Sequence, residues 1–228
     1  QFGTGRSATW TELGGFQASP DETKKSWDEF VHCIPKMWTQ DRFSYEGQYF
    51  SMPSRAVLPK PYQKPHPPIW VAVTSPGTEL DAGDRGIGCL GVTFSSFAEQ
   101  EAKVKEYRRR IDNCNPVGSF VNDQVATVNF LYCHEDNETG AKTGMNMIGR
   151  FNYMAAQLDM AKEAYPARSY PAAGLLPSLR RQASAPGEQA KAPEGIAVGN
   201  PEHLISELKK WESSGSDRVN FLLNAAEI

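Results

Sequence analysis

Pro65 to Gly91, PHPPIWVAVTSPGTELDAGDRGIGCLG, constrains the fold more than any other stretch of the chain. Its approach from Leu58 to Pro68 is too rich in proline for a helix or a central strand, so the spacing predicts an extended, ordered connector. Ile69 to Val73 is apolar, β-branched and too short for a helix, which makes it a buried strand of a parallel sheet. Ser75 then reads as a helix N-cap, with Pro76 at the first helical position and Thr78 three residues after the cap. Backbone amides without partners and the positive end of the macrodipole converge at such a helix start, so the turn is a candidate phosphate pocket. The plainer alternative has Ser75 and Thr78 only capping a helix.

The flanking text extends the same architecture. Gln1 to Ser7, QFGTGRS, suits the C-terminal end of a strand opening into a loop, with a frayed terminus as the competing reading. Ser19, Pro20 and Glu22 form a capping-box pattern ahead of a helix whose inner positions are Trp27, Phe30, Val31, Ile34, Met37 and Trp38, interrupted at Pro35. Phe43 to Met52 alternates aromatic and polar residues, as a small hairpin does. Gly86 to Phe94 and Val125 to Cys133 read as further buried strands. Between them runs an amphipathic helix, Phe97 to Asp112, with Ala102, Val104, Tyr107 and Ile111 inward.

Beyond the strand at Val125 to Cys133, a long helix begins at Glu138 and can run to about Pro166. Tyr165 to Pro193 lacks periodicity and is expected to be a loop or lid. A last helix from about Pro201, with Leu204, Ile205, Leu208 and Trp211 inward and Gly215 as its stop, precedes a strand at Val219 to Leu223. Strands therefore alternate with helices over crossover-length connections, which implies a parallel sheet with helices outside. Ligands of such folds collect at the carboxyl ends of strands, where Arg6 and Ser75 both lie.

At 228 residues the chain can bury one sizeable core, and residues 1–228 read as a single domain. A formal charge of -3 gives no basic face for nucleic acid, and a small-molecule substrate is the expected partner. No signal sequence or long apolar span is present, which predicts a cytoplasmic protein that does not enter a membrane. Cys33, Cys89, Cys114 and Cys133 show no metal-ligand spacing and read as reduced thiols, so no metal site is expected. Each of His32, His66, His134 and His203 reads as structural or solvated. The chain starts at Gln1 without a methionine, at what looks like a strand end, which suggests further sequence upstream.

The residues that carry a likeness are GRS at a strand end, KMWT, FSYEGQYF, LPKPYQKPHPPIWVAVTSPGTELDAGDRGIG and GNPEHLISELKKWESSGSDRVNFLL. Together they resemble the bacterial luciferase-like flavin-dependent monooxygenases over nearly the whole chain, with QKPHPPIWVA followed by serine and a helix as the most specific part. The resemblance implies a (β/α)8 TIM barrel of the luciferase-like type. It is present only as a partial barrel, from the end of strand four to strand eight, with open edges.

The same likeness implies reduced FMN at the barrel mouth, supplied by a flavin reductase, with O2 and a small organic substrate as the other reactants, and a homo-oligomeric assembly. It places the FMN phosphate on Arg6, Thr74, Ser75 and Thr78, with Lys24 near a second basic position. Charge-assisted bonds of this kind contribute about 1.5 to 3 kcal/mol each. Some members carry a cysteine beside the flavin where this chain has Gly5. The family's usual histidine and its non-proline cis peptide lie on early strands outside this sequence, so no catalytic residue is assigned. Hydride transfer with the deazaflavin F420 and a non-catalytic flavin-binding partner subunit are the alternatives.

Overall fold

The computed structural model describes residues 1–7, 10–92, 96–160 and 194–223. Six parallel strands make up its main sheet: β1 (Phe2–Thr4), β4 (Ile69–Ala72), β5 (Gly88–Val92), β6 (Val125–Cys133), β7 (Ala197–Gly199) and β8 (Arg218–Leu222). The hairpin β2 (Phe43–Glu46) and β3 (Ser51–Arg55) is a separate antiparallel pair. The helices are α1 (Trp10–Gly15), α2 (Thr23–Thr39), α3 (Thr78–Asp84), α4 (Phe97–Ile111), α5 (Asn137–Met160) and α6 (Pro201–Ser213).

Strand order is β1-β4-β5-β6, after which β6 pairs with β8 along Ala126–Phe130 and with β7 along Leu131–Cys133. Among the described residues β1 pairs only with β4 and β8 only with β6, so the barrel is not closed. This is the partial barrel that the resemblance implies. β1, β4, β5, β6 and β8 occupy the places of barrel strands four to eight, and β7 is an additional short strand that the sequence pattern did not reveal.

Alternation along the strands separates two faces. Ile69, Val71, Cys89 and Val125 point to the convex face, where Val31 of α2, Ala82 of α3 and Tyr107 of α4 complete one core. Trp70, Leu90, Ala126, Arg218 and Asn220 share the concave face and border one hollow. Phe130 and Leu222 have the same parity, and they pack with Met147, Ile148 and Phe151. α5 therefore lies against the concave face at the C-terminal end of the strands, whereas α2, α3, α4 and α6 follow the expected outer placement.

Several local expectations change for identifiable reasons. Ser19 makes no side-chain cap, because a 3-10 turn at Pro20–Glu22 intervenes and Thr23 opens α2 with its hydroxyl donating to the Pro20 carbonyl. Phe30 is 44% exposed and meets Phe50 of the hairpin edge-on at 5.4 Å instead of entering the core. Ala102, Ile205 and Leu208 face solvent, and Glu207 takes a buried place on α6 by accepting from the Gly195 backbone N–H. The segment 165–193, read as a loop or lid, lies outside the described residues.

Candidate cofactor site at the ends of β1 and β4

β1 and β4 run side by side in the register Phe2↔Ile69, Gly3↔Trp70 and Thr4↔Val71, so both chains leave the sheet at the same level. A β-carbon on Gly5 would stand 3.7 Å from the Ala72 Cβ. The segments that carry Arg6 and Thr74-Ser75 thus leave neighbouring strands at one level. Arg6 and the pair Thr74 and Ser75 follow the ends of these two paired strands. The Arg6 side chain is half-buried, and no ion pair within the described residues engages it. Neither the Thr74 nor the Ser75 hydroxyl is taken by another described group, Thr74 being exposed and Ser75 half-buried.

The turn itself differs from the expected N-cap. Ser75-Pro76-Gly77-Thr78 is a β-turn closed by the Thr78 N–H on the Ser75 carbonyl at 3.2 Å, with Gly77 at φ 84° and ψ -6°. Those are the angles of the third residue of a type II turn, and proline followed by glycine is its signature. The helix starts at Thr78, with Gly77 as a cap that has no side chain to offer. Pro76-Gly77 was the signal in the sequence that outweighs Ser75 as a cap. A β-carbon on Gly77 would meet nothing within 4 Å, so the space above the turn is open to a ligand that approaches the backbone.

Thr78 is only 5% exposed, and Lys24 is drawn to α3 by an ion pair with Asp81 at 2.7 Å. Asp81 also meets Arg85, whose Nε donates to Asp28 of α2 at 2.6 Å and whose guanidinium stacks 5.5 Å from the Trp27 ring centroid. Sequence reasoning missed this Asp28-Arg85-Asp81-Lys24 chain, because its members come from two separate helices. It fixes α3, and with it the Ser75 turn, against α2. The residues fit a phosphate in their donor chemistry: a guanidinium and two hydroxyls without partners among the described residues, and an open glycine turn. α3 has seven residues, so its dipole supplements these groups only modestly.

Of the histidines, His66 is buried in the connector before β4, accepts the Ser119 N–H on Nε2 at 2.9 Å and stacks on Phe120, as a structural residue does. No cluster of three or more potential metal ligands occurs among the described residues, and none of their helices is long and apolar enough to cross a membrane.

The luciferase-like monooxygenase family model matches residues 1–218. The chain belongs to the luciferase-like monooxygenase family. Its members' fold recurs in the monooxygenase RslO1 from Streptomyces bottropensis, with a TM-score of 0.70 and 19% identity over 96% of this chain and 60% of that one. An F420-dependent secondary alcohol dehydrogenase in complex with an F420-acetone adduct also shares it, with a TM-score of 0.63 and 13% identity over 99% of this chain and 64% of that one. Among curated proteins the chain is 22% identical to the oxygenase component of the flavin-dependent trigonelline monooxygenase of Acinetobacter baylyi, over 86% of this chain. The luciferase-like chain described here spans about half the length of that relative (52%).

Proposed function

We propose that this chain forms the phosphate-binding side of an FMN-dependent monooxygenase that oxidises a small organic substrate in the cytoplasm. Reduced FMN, when bound, supplies the electrons that let O2 place one oxygen atom in the substrate and release the other as water. The chain's own groups bind and orient. Arg6 forks onto the phosphate oxygens, the Thr74 and Ser75 hydroxyls donate to them, and the Gly77 turn lets backbone approach closely. Thr78 contributes through the turn that it closes, and Lys24 through the ion pair with Asp81 that holds α3 against α2. A separate reductase as the source of reduced flavin accords with the relative named as an oxygenase component.

The single observation that supports this reading is the pairing of β1 with β4, whose ends lead into Arg6 and into Thr74 and Ser75, none of which has a side-chain partner among the described residues. FMN and riboflavin differ only in the phosphate, so they test it directly. We expect FMN to bind more tightly than riboflavin, and Arg6→Ala to weaken FMN at least about tenfold, about 1.4 kcal/mol, while leaving riboflavin unchanged. Equal affinities of the parent chain for the two flavins would remove the phosphate assignment.

The F420-dependent dehydrogenase among the structural neighbours favours a second reading, hydride transfer with F420 and no consumption of O2. Oxygen uptake with reduced FMN, set against spectral titration with F420, separates the two. A non-catalytic flavin-binding partner subunit that supports an active subunit without turning over is the third outcome, recognised by flavin binding without an oxidation product.

A further inference from the structure

Arg85 caps the C-terminus of α3, and its side chain is 19% exposed. Its Nε donates to the Asp28 carboxylate of α2 at 2.6 Å, and Nη2 stands 2.5 Å from the same oxygen. Nη1 donates to the Asp81 backbone carbonyl at 2.9 Å and faces the Asp81 carboxylate at 3.6 Å. The guanidinium carbon lies 5.5 Å from the Trp27 ring centroid. One side chain thus touches the first turn of α3 on one side and the Trp27 indole on the other. Asp81 stands three residues after Thr78, whose N–H closes the Ser75 turn. Trp27 donates its indole N–H to the Thr4 hydroxyl, two residues before Arg6. Contacts from Arg85 therefore lead to both strand ends.

α3 has seven residues and a Gly77 cap that offers no side chain, so its own turns hold it weakly. Tertiary contacts set where it starts. An enclosed ion network adds little net stability once desolvation is counted, since apolar side chains of the same volume often serve as well. Its planar fork does fix geometry, because each nitrogen has its own acceptor direction. We propose that Arg85 is a positioning residue for the phosphate end of the flavin. Through Asp81 it holds the Ser75 turn, and through Trp27 it holds the Thr4-Arg6 end of β1, so the two ends keep one spacing. This role rests on the reading that these ends bind the FMN phosphate. Groups held in place before the ligand arrives spare it the cost of ordering them, and the benefit falls on the phosphate rather than on the isoalloxazine ring.

Oxidised FMN and riboflavin are titrated by flavin fluorescence against the parent chain and Arg85→Met, at a temperature where circular dichroism shows both proteins folded. Methionine keeps an unbranched stem and removes the fork. The ratio of the riboflavin to the FMN dissociation constant isolates the phosphate, and a loss of stability alone does not move it. We expect Arg85→Met to lower that ratio at least about fivefold while riboflavin affinity stays unchanged. Should Arg85→Met not fold, Asp28→Asn decides, because it leaves Arg85 in place and removes the charge that anchors its Nε. There the ratio should fall at least about threefold. An unchanged ratio, or an equal weakening of both flavins, overturns the role of Arg85 while the parent's preference for FMN leaves the phosphate reading standing. A parent chain that binds the two flavins alike overturns that reading, and the role of Arg85 with it.

Discussion

The indole N–H of Trp27 donates to the Thr4 hydroxyl at 3.0 Å, and that hydroxyl in turn donates to the Trp70 carbonyl at 2.7 Å. One side chain of α2 thus reaches the seam between β1 and β4 and ties both strands just below the ends that carry Arg6 and Ser75. Thr4→Val keeps the shape and removes the relay, leaving a largely buried indole N–H without an acceptor. We expect a loss of about 1 to 3 kcal/mol in urea unfolding. FMN affinity should fall in the same variant, because Arg6 follows two residues later. Unchanged stability would mean that the relay is dispensable.

Gly77 gives a sharper test of the turn. Its φ of 84° is left-handed, yet a β-carbon there would touch nothing within 4 Å, so substitution changes backbone energy without a clash. Gly77→Ala should cost about 1 to 2 kcal/mol, and Gly77→Asn distinctly less, because asparagine visits this region more readily. Thermal melts of the two variants against the parent decide the matter, and equal midpoints for alanine and asparagine would contradict the type II assignment.

The cysteines predict a reactivity order. All four are free thiols, with Cys33 and Cys89 buried, Cys114 half-buried and Cys133 exposed at the end of β6. Burial pushes the Cys33 and Cys89 thiols above their ordinary range, which removes thiolate as well as access. A thiol reagent should modify Cys133 first, and Cys33 and Cys89 only on unfolding. Peptide mapping after brief labelling reads the order directly; early labelling of Cys89 would contradict the β5 placement.

Which features were legible in the sequence follows from the range of the forces involved. β6 matched its predicted bounds from Val125 to Cys133, because β-branched and aromatic side chains recur at Val125, Thr127, Val128, Phe130 and Tyr132. The strand ends bearing Arg6 and Ser75 were legible too, since glycine and proline punctuate them. β7 was not, because Ala197–Gly199 offers three residues and no alternation, and its strand character comes from pairing with Leu131–Cys133. Glu207 illustrates the tertiary limit: a carboxylate on a helix reads as solvated until Gly195, twelve residues upstream, presents its N–H. The seat of α5 on the concave face was likewise hidden, because helical periodicity reports an apolar stripe and not the side of the sheet that receives it.

Glu106 supplies a pH test of how α4 is held. Hydrogen bonds from Arg109 first, and from Arg110 second, hold its carboxyl well below the usual range, at about 2 against 4.5. Arg110 also grips Asp84 of α3 at 2.7 Å, so Glu106 orients the arginine that links the two helices. A carboxyl whose folded pKa is depressed binds fewer protons in the native state than in the unfolded one, so its contribution is fully present above about pH 4.5. That contribution fades as pH falls from there towards about 2 and is absent below. The stability difference between the parent and Glu106→Gln should therefore be positive near neutrality and close through that window. Arg109 is exposed and Glu106 and Arg110 are partly so, which lets high salt shrink the difference at neutral pH. Denaturant melts of both proteins across the window measure it, and a difference independent of pH would show that Glu106 acts through packing and not through its charge.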